Sequence, residues 1–333
     1  MEPSCCGGGG DIHKNKYNIK YDDFIDKGKL FSALKSFVKG KTNREDINEF
    51  AVGLGCNILN IQKELFNRNY KHDKYFEFVK IDIKKRLIHK ATVKDRLVHF
   101  LIYKNLYDYF DKYFLYDSYS CRKNKGVHKA IERYEFFARK ISKNYTRQVW
   151  ILKFDIKKCF ASVDQEILLC ILKDKIKDID VYNLVKIIVK SFDKGLPLGN
   201  ITSQLFINVY LHELDFYCKQ KLKIKYYIRY ADDVICMFEN KDDAFLLIKE
   251  IEEFTKNKLK LQIHKIKIKT LYSGIDFLGW VHFPKFRLLR KVTKRKMLNN
   301  YCEKNMDSYD GLMRLGNTYK IKMVLKSDII KDI

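Results

Sequence analysis

The hydrophobic pattern of the chain changes character along its length. In residues 11–70 the apolar positions recur at three- and four-residue steps, which predicts helices; they include Phe31, Leu34, Val38, Phe50, Leu54, Ile58, Ile61 and Leu65. Apolar and basic residues nearly alternate over YFEFVKIDIKKRLIHKA (75–91), which predicts a half-exposed hairpin. A long helix is predicted to follow, from about Val93 through Tyr113.

The middle of the chain is richer in buried strands. WILKFDI (150–156) is a short apolar run that ends in a carboxylate, and helices are predicted at about 164–192. YYIRY (226–230) and VICMF (234–238) are apolar runs with carboxylates between them, the pattern of a hairpin. With a helix at about 242–258 and further strands, the order from 150 to 283 is β–α–β–β–α–β, the split βαβ arrangement. The last fifty residues are predicted to be helical and basic.

Composition narrows the class of protein. Lys and Arg number 66 against 41 acidic residues, a formal charge of +25, so the chain is expected to meet a polyanion such as nucleic acid. The nine cysteines include no CxxC pair, which argues against a zinc knuckle or a disulfide framework and favours a reducing compartment. No run reaches the roughly 18–20 apolar residues of a membrane span, and we expect no membrane partner. Residues 1–10 are interpreted as a flexible leader.

The carboxylates at the strand ends are the candidate chemistry. Asp155 ends one strand, and Asp232 and Asp233 lie between two others; neighbouring strands in a split βαβ sheet bring such residues together. Buried acidic groups are costly without a cation, and Mg²⁺ is the hard cation that carboxylates and substrate phosphates hold. The alternative for any one of these aspartates is a turn or helix cap.

Four motifs in order carry a resemblance to a known family. FDIKKCF (154–160), GLPLGNITSQ (195–204), YADD (230–233) and FLGW (277–280) together resemble a reverse transcriptase. The resemblance implies an α+β right-hand polymerase with fingers, a palm built on the split βαβ sheet, and a helical basic thumb. It implies two Mg²⁺ ions, replaceable by Mn²⁺, on the ligand set Asp155, Ile156 and Asp232. Asp233 matches the third catalytic carboxylate, in a supporting role.

The resemblance also implies domain limits and substrate contacts. The expected limits are a leader at 1–10, fingers at 11–149, a palm at 150–283 whose residues 165–200 are partly fingers-like, and a thumb at 284–333. Phe160 matches the aromatic gate against a ribose 2′-hydroxyl, and Arg86 matches the arginine that holds the incoming triphosphate. The full set of expected dNTP contacts is Arg86, Phe160, Leu198, Gly199, Gln204 and Lys267. The expected template–primer contacts are Arg96, for which a structural role is equally open, with Leu278, Gly279, Lys285, Arg287, Arg290 and Lys294.

The middle motif indicates a subclass. Most intron-type and retroviral members have glutamine before its glycine and proline after its serine, where this chain has Leu198-Gly199 and Ser203-Gln204. This departure resembles the enzymes of diversity-generating retroelements, which copy a template-repeat RNA in mutagenic retrohoming and misincorporate opposite adenines. The implied partners are the RNA template, a DNA or RNA primer, dNTPs and a small basic oligomeric accessory protein. The implied location is the cytoplasm of a bacterial, archaeal or phage-infected cell.

Two alternatives remain open at this point. One is an intron-type, retron or phage-defence reverse transcriptase; intron enzymes usually add a maturase or endonuclease region, which we do not expect here because the chain ends soon after the thumb-like segment. The other is a nucleic-acid-binding scaffold with a dead active site, against which the intact Asp155, Asp232 and Asp233 argue.

Overall fold

The N-terminal part is helical, as the apolar spacing predicted. The computed structural model describes residues 16–81, 85–302 and 305–331, with side chains through Leu325, so the expected leader at 1–10 lies outside the described residues. The first helices are α1 (Tyr21–Phe24), α2 (Lys27–Val38), α3 (Glu45–Val52) and α4 (Leu54–Phe66). Their apolar faces pack with the long helix α5 (Val93–Tyr113), whose bounds match the prediction. Burial of Leu30, Leu65 and Leu101 illustrates this core.

An exposed hairpin projects between α4 and α5. Strands β1 (Phe76–Ile81) and β2 (Lys85–Lys90) pair antiparallel, with Phe76 opposite Lys90 and Ile81 opposite Lys85. Every residue of β1 is exposed, so the hairpin has no buried face of its own over this strand. The predicted hairpin is confirmed, and it is more exposed than its apolar content suggested because no second layer covers β1.

The predicted order β–α–β–β–α–β is confirmed in the middle of the chain. After α6 (Val127–Ile141), the elements are β3 (Trp150–Ile156), α7 (Cys159–Ser162), α8 (Gln165–Lys175), α9 (Ile179–Lys190), α10 (Ile201–Phe216), a π-helical turn (Tyr217–Lys221), β4 (Tyr226–Tyr230), β5 (Asp233–Phe238), α11 (Lys241–Leu259) and β6 (Ile263–Thr270). The four strands form one antiparallel sheet in the order β4-β5-β3-β6.

The sheet has two differently covered faces, because successive side chains on a strand point in opposite directions. Phe154, Val234 and Tyr227 belong to the large core that includes residues of α10 and α11. Ile151 and Ile235 face the other way and belong to a second cluster with residues of α6. The ends of β3 and β5 that carry aspartates therefore lie between two packed layers.

The C-terminal part adds a small sheet and three helices. Strands β7 (Ile275–Phe277), β8 (Trp280–His282) and β9 (Arg287–Leu289) pair antiparallel, followed by α12 (Lys291–Asn300), α13 (Met306–Met313) and α14 (Tyr319–Lys331). A third core surrounds the fully buried Trp280. The helical prediction for 284–333 holds for α12–α14 but is wrong at β9, which pairs with β8 and buries Leu289 in this core. Within the described ranges, none of the helices is both long and apolar enough to cross a bilayer.

Candidate active site

The turn between β4 and β5 brings the predicted carboxylates together. Ala231 has a left-handed backbone with φ of 54°, and this conformation sends the chain directly from β4 back into β5. Asp155 at the end of β3 lies opposite Asp233 in the strand register. The backbone N–H of Ile156 donates to the carbonyl of Asp232 at 3.1 Å. The convergence of Asp155 with the 232–233 pair, inferred from strand order, is thus present in the structure.

The electrostatics of this site favour a bound cation. Desolvation raises the pKa of Asp232, and the nearby Asp155 carboxylate raises it further, whereas Lys265 and Arg86 oppose the rise. Desolvation also raises the pKa of Asp233, to about 6, against the lowering effect of Lys153. Carboxylates that share a small, partly dry volume disfavour one another's charge, and positive charge brought between them relieves the repulsion.

Two lysines that sequence reasoning did not select contact these carboxylates. Lys265 Nζ lies 2.6 Å from Asp155 Oδ2, and Lys153 Nζ lies 2.7 Å from Asp233 Oδ2. Lys153 also donates to the carbonyl of Asp276 at 2.6 Å, which ties the catalytic sheet to β7. Lys153 was overlooked because an alternating charge in a strand is usually a solvated side chain.

The candidate Lys267 occupies a different place from the one expected. It lies opposite Lys153 in the register of β3 and β6, and its side chain is exposed. Between Lys153 and Asp155 the pairing of β3 with β6 is irregular, and Lys265 has a left-handed backbone with φ of 54°. This irregularity brings Lys265 to Asp155, and it could not be counted from motif spacing.

The donor set fits a hard divalent cation held in part by substrate. Among the described residues, no cluster of three or more His, Cys, Asp or Glu side chains is arranged around a metal position. The available donors are Asp155 and the exposed Asp232, next to the backbone of Ile156, and buried Asp233 Oδ1 has no hydrogen-bond partner. Mg²⁺ is commonly held by one or two carboxylates with phosphate and water completing its shell, so these residues suit it.

The middle motif docks against the hairpin. The carbonyl of Leu198 accepts from the N–H of His89 at 2.9 Å, and Asn200 Nδ2 donates to the carbonyl of His89 at 3.1 Å. Gly199 has φ of 115°, and a Cβ there would lie 2.8 Å from Ile88 Cγ2. Since Arg86 is two residues from Ile88 on β2, both side chains lie on the hairpin face turned toward this loop. The effect of Arg86 on Asp232 agrees with that placement.

Phe160 lies against the start of the same loop. Its carbonyl accepts from the N–H of Leu196 at 2.8 Å, and a Cβ on Gly195 would lie 2.5 Å from that oxygen. The backbone contact requires glycine at 195, which explains part of the motif in packing terms. Gln204 is exposed on α10, within the same segment of chain. Arg86, Phe160 and the 198–204 segment are therefore grouped around the carboxylates.

The FLGW motif forms the turn of the small sheet. Leu278 and Gly279 connect β7 to β8 with φ of 51° and 88°, the signs of a type I′ hairpin turn. The carbonyl of Gly279 accepts from the N–H of Arg290 at 2.9 Å, so the turn is fixed to the start of α12.

The remaining basic candidates fall into two groups. Arg96, Arg287 and Arg290 form ion pairs within the protein, with Asp46, Glu135 and Asp276 respectively. Arg96 also lies over the ring of Phe37, which favours its structural interpretation. Lys285 and Lys294 are exposed and keep their charges on the surface.

Known proteins resemble this chain over its central part. The model of the family described as "Reverse transcriptase (RNA-dependent DNA polymerase)" matches residues 71–282. Putative COX1/OXI3 intron 2 protein of Saccharomyces cerevisiae is 25% identical, with 41% of this chain and 24% of that protein covered. Group II intron-encoded protein LtrA of Lactococcus lactis subsp. cremoris is 23% identical, with 57% of this chain and 43% of that protein covered. The chain thus spans less than half the length of these relatives.

Among solved structures, telomerase from Candida albicans, in complex with a fragment of telomeric RNA, is 11% identical with a TM-score of 0.48. That match covers 65% of this chain and 46% of the other. The family match extends over more than half of the chain and includes α5, the split βαβ sheet and the YADD turn. The predicted α+β right-hand polymerase fold class is confirmed, and the chain belongs to the reverse transcriptase (RNA-dependent DNA polymerase) family.

Proposed function

We propose that this chain is an RNA-directed DNA polymerase that makes cDNA by two-metal nucleotidyl transfer. The observation that carries the proposal is the meeting of Asp155 with Asp232 and Asp233 at the end of a family-type sheet. Its substrates are dNTPs, an RNA template and a DNA or RNA primer. The charge of +25 suits a partner made of phosphates.

Each residue has a role that follows from its position. Asp155 and Asp232, with the backbone of Ile156, would hold Mg²⁺ or Mn²⁺, and Asp233 supports them. When bound, the two ions lower the pKa of the attacking 3′-hydroxyl and stabilise charge on the leaving pyrophosphate. Arg86 orients the triphosphate from the hairpin, because a guanidinium forks onto phosphate oxygens. Phe160 beside the 195–199 loop excludes a ribose 2′-hydroxyl.

We assign the parts of the hand by the same argument. Residues 11–149 serve as fingers, 150–283 as the palm with fingers-like helices in 165–200, and 284–333 as the thumb. Lys285 and Lys294 contact the template–primer backbone, and Leu278 and Gly279 position the primer end. The internal ion pairs of Arg287 and Arg290 give those arginines the additional task of holding β9 and α12 on the palm.

Primer extension by the full chain tests the proposed reaction. Asp232→Asn should lower extension at least about a hundredfold, because several kcal/mol of transition-state stabilisation depend on the metal ligand. Asp242→Asn changes an exposed aspartate on the first turn of α11 and should extend primers like the wild type. Absence of extension by the wild type with Mg²⁺ and with Mn²⁺, even with an accessory protein supplied, would overturn the proposal and leave the scaffold alternative.

Within this activity, we propose the diversity-generating subclass, with synthesis that is inaccurate at template adenines. Leu198 supports this, because its aliphatic side chain offers no hydrogen bond beside the dNTP, so a mispair meets a weaker penalty. The loop that carries it is held to β2 by His89, facing the side of the hairpin that carries Arg86. A small basic oligomeric protein is the proposed partner, and the cytoplasm of a bacterial, archaeal or phage-infected cell is the proposed location.

An error spectrum decides between this subclass and an intron-type enzyme. The intron-encoded relatives favour the intron-type alternative, for which accurate copying is expected. Leu198→Gln should reduce misincorporation opposite template adenines, whereas Leu198→Met, which stays aliphatic, should leave the spectrum as in the wild type. If the wild type copies adenines as accurately as other bases, or if Leu198→Gln changes nothing, the subclass proposal fails while the polymerase proposal stands.

A further inference from the structure

A fully buried arginine lies directly before the catalytic turn. Arg229 is on β4, on the face of the sheet that packs against α10, and its side chain is 0% exposed. Its ion-pair partner Asp215, on α10, is also 0% exposed. A buried charge needs partners for all its hydrogen-bonding atoms, and a guanidinium has five N–H donors.

All five donors of Arg229 are used. Nε and Nη2 donate to the two oxygens of Asp215, each at 2.7 Å. Nη2 also donates to Ser118 Oγ, and Nη1 donates to Asn208 Oδ1, each at 3.1 Å. The fifth bond runs from Nη1 to the carbonyl of Ala231 at 3.1 Å. The guanidinium is therefore held by α10 and by the 117–120 segment, and its remaining donor reaches the catalytic turn.

The carbonyl it reaches belongs to the strained residue of that turn. Ala231 has φ of 54°, a left-handed conformation that costs a residue with a Cβ on the order of 1 kcal/mol. Asp232 follows immediately, and its own carbonyl accepts from Ile156 N. The backbone that carries Asp232 is thus hydrogen-bonded on one side by Arg229 and on the other by the strand that carries Asp155.

We infer that Arg229 is a positioning residue for the reaction: by holding the Ala231 carbonyl, it sets the direction in which Asp232 presents its carboxylate toward the metal. This inference rests on the proposed function. Lysine cannot replace it, because a single ammonium cannot span Asp215 and Ala231 with a planar fork. The inference also gives a role to the 117–120 segment, where Ser118 binds the guanidinium and Ser120 accepts from Asn208 at 2.9 Å.

Binding of Mn²⁺ to the full chain without nucleic acid, followed by electron paramagnetic resonance, tests the inference apart from catalysis. Arg229→Lys should weaken Mn²⁺ binding about tenfold or more, the usual effect of losing a residue that orients a metal ligand. Primer extension should show a matching rise in the Mg²⁺ concentration for half-maximal rate. A merely structural loss would lower the folded fraction without moving either midpoint.

Arg122→Lys is the matched control. Arg122 is likewise buried, pairs with Asp111 at 2.7 Å and donates to the carbonyls of Leu115 and Ser118, but it does not contact the turn. It should lose stability and keep the Mn²⁺ midpoint. Equal weakening in Arg122→Lys and Arg229→Lys would overturn the inference.

Asn208→Ala decides the matter if Arg229→Lys does not fold. It removes one acceptor of Nη1 and leaves the ion pair with Asp215 in place, so a several-fold weaker Mn²⁺ midpoint is expected. A folded Asn208→Ala or Arg229→Lys protein with the wild-type midpoint rejects the inference. A wild type that binds Mn²⁺ but extends no primer would reject the proposed function alone.

Discussion

The two faces of the sheet at the catalytic turn hold ion pairs of nearly equal length in opposite surroundings. On the α10 side, Arg229 and Asp215 are 2.7 Å apart and both 0% exposed. On the open side, Lys265 and Asp155 are 2.6 Å apart, with the lysine side chain 52% exposed. A buried pair cannot be broken without leaving a charge in a dry interior, whereas an exposed pair exchanges readily with water and ions. Distance alone therefore does not separate the fixed support from the exchangeable contact.

The largest effect is expected from breaking the buried pair. Asp215→Asn leaves Arg229 charged and uncompensated, and it should lower the free energy of unfolding by about 3–5 kcal/mol. Urea unfolding measures the change. Asp108→Asn is the matched control, since Asp108 pairs with Lys123 at 2.9 Å with both side chains more than half exposed, and it should cost less than about 1 kcal/mol. Similar losses in the two variants would contradict the comparison.

Acid should weaken the dry face through His212. Burial lowers the pKa of His212 to about 4, below the ordinary value of 6.5; the charged and titratable groups that act on it are Asp215, Arg229, Lys175 and Arg122. The unfolded chain therefore takes up a proton that the folded chain refuses, so stability is complete above about pH 6.5 and falls as the pH drops toward 4. At pH 5 the loss is about 2 kcal/mol.

Urea unfolding at pH 7.5 and pH 5 checks this expectation. Burial also lowers the pKa of His99 to about 3 and of His282 to about 4, so the wild type should lose stability at pH 5 by more than His212 accounts for. His212→Gln should lose about 2 kcal/mol less between the two pH values than the wild type does. An unchanged pH dependence in this variant would show that the α10 side is wetter than its burial indicates.

The sequence predicted the elements of the site better than its contacts. Period-two apolar runs bounded by Asp155, Asp232 and Asp233 were sufficient to place the carboxylates on neighbouring strands. Arg229 was passed over because YYIRY was interpreted only as a strand, and its side-chain partners lie up to 111 positions away in the chain. Such long-range partners depend on how α10 and the 117–120 segment pack, which no local pattern encodes.

The smallest effect is expected on the open face, and it bears on the choice between two lysines. Lys265→Gln should change the free energy of unfolding by less than about 1 kcal/mol, because its ammonium is half exposed and screened by water. It should also leave Mn²⁺ binding as tight as in the wild type or tighter, since the ammonium competes with a cation for Asp155. Lys267→Gln, two residues along the same strand and exposed, should change neither quantity. If Lys265→Gln instead destabilised the protein as much as Asp215→Asn, the open face would be a second rigid support, and the contrast between the two faces would be lost.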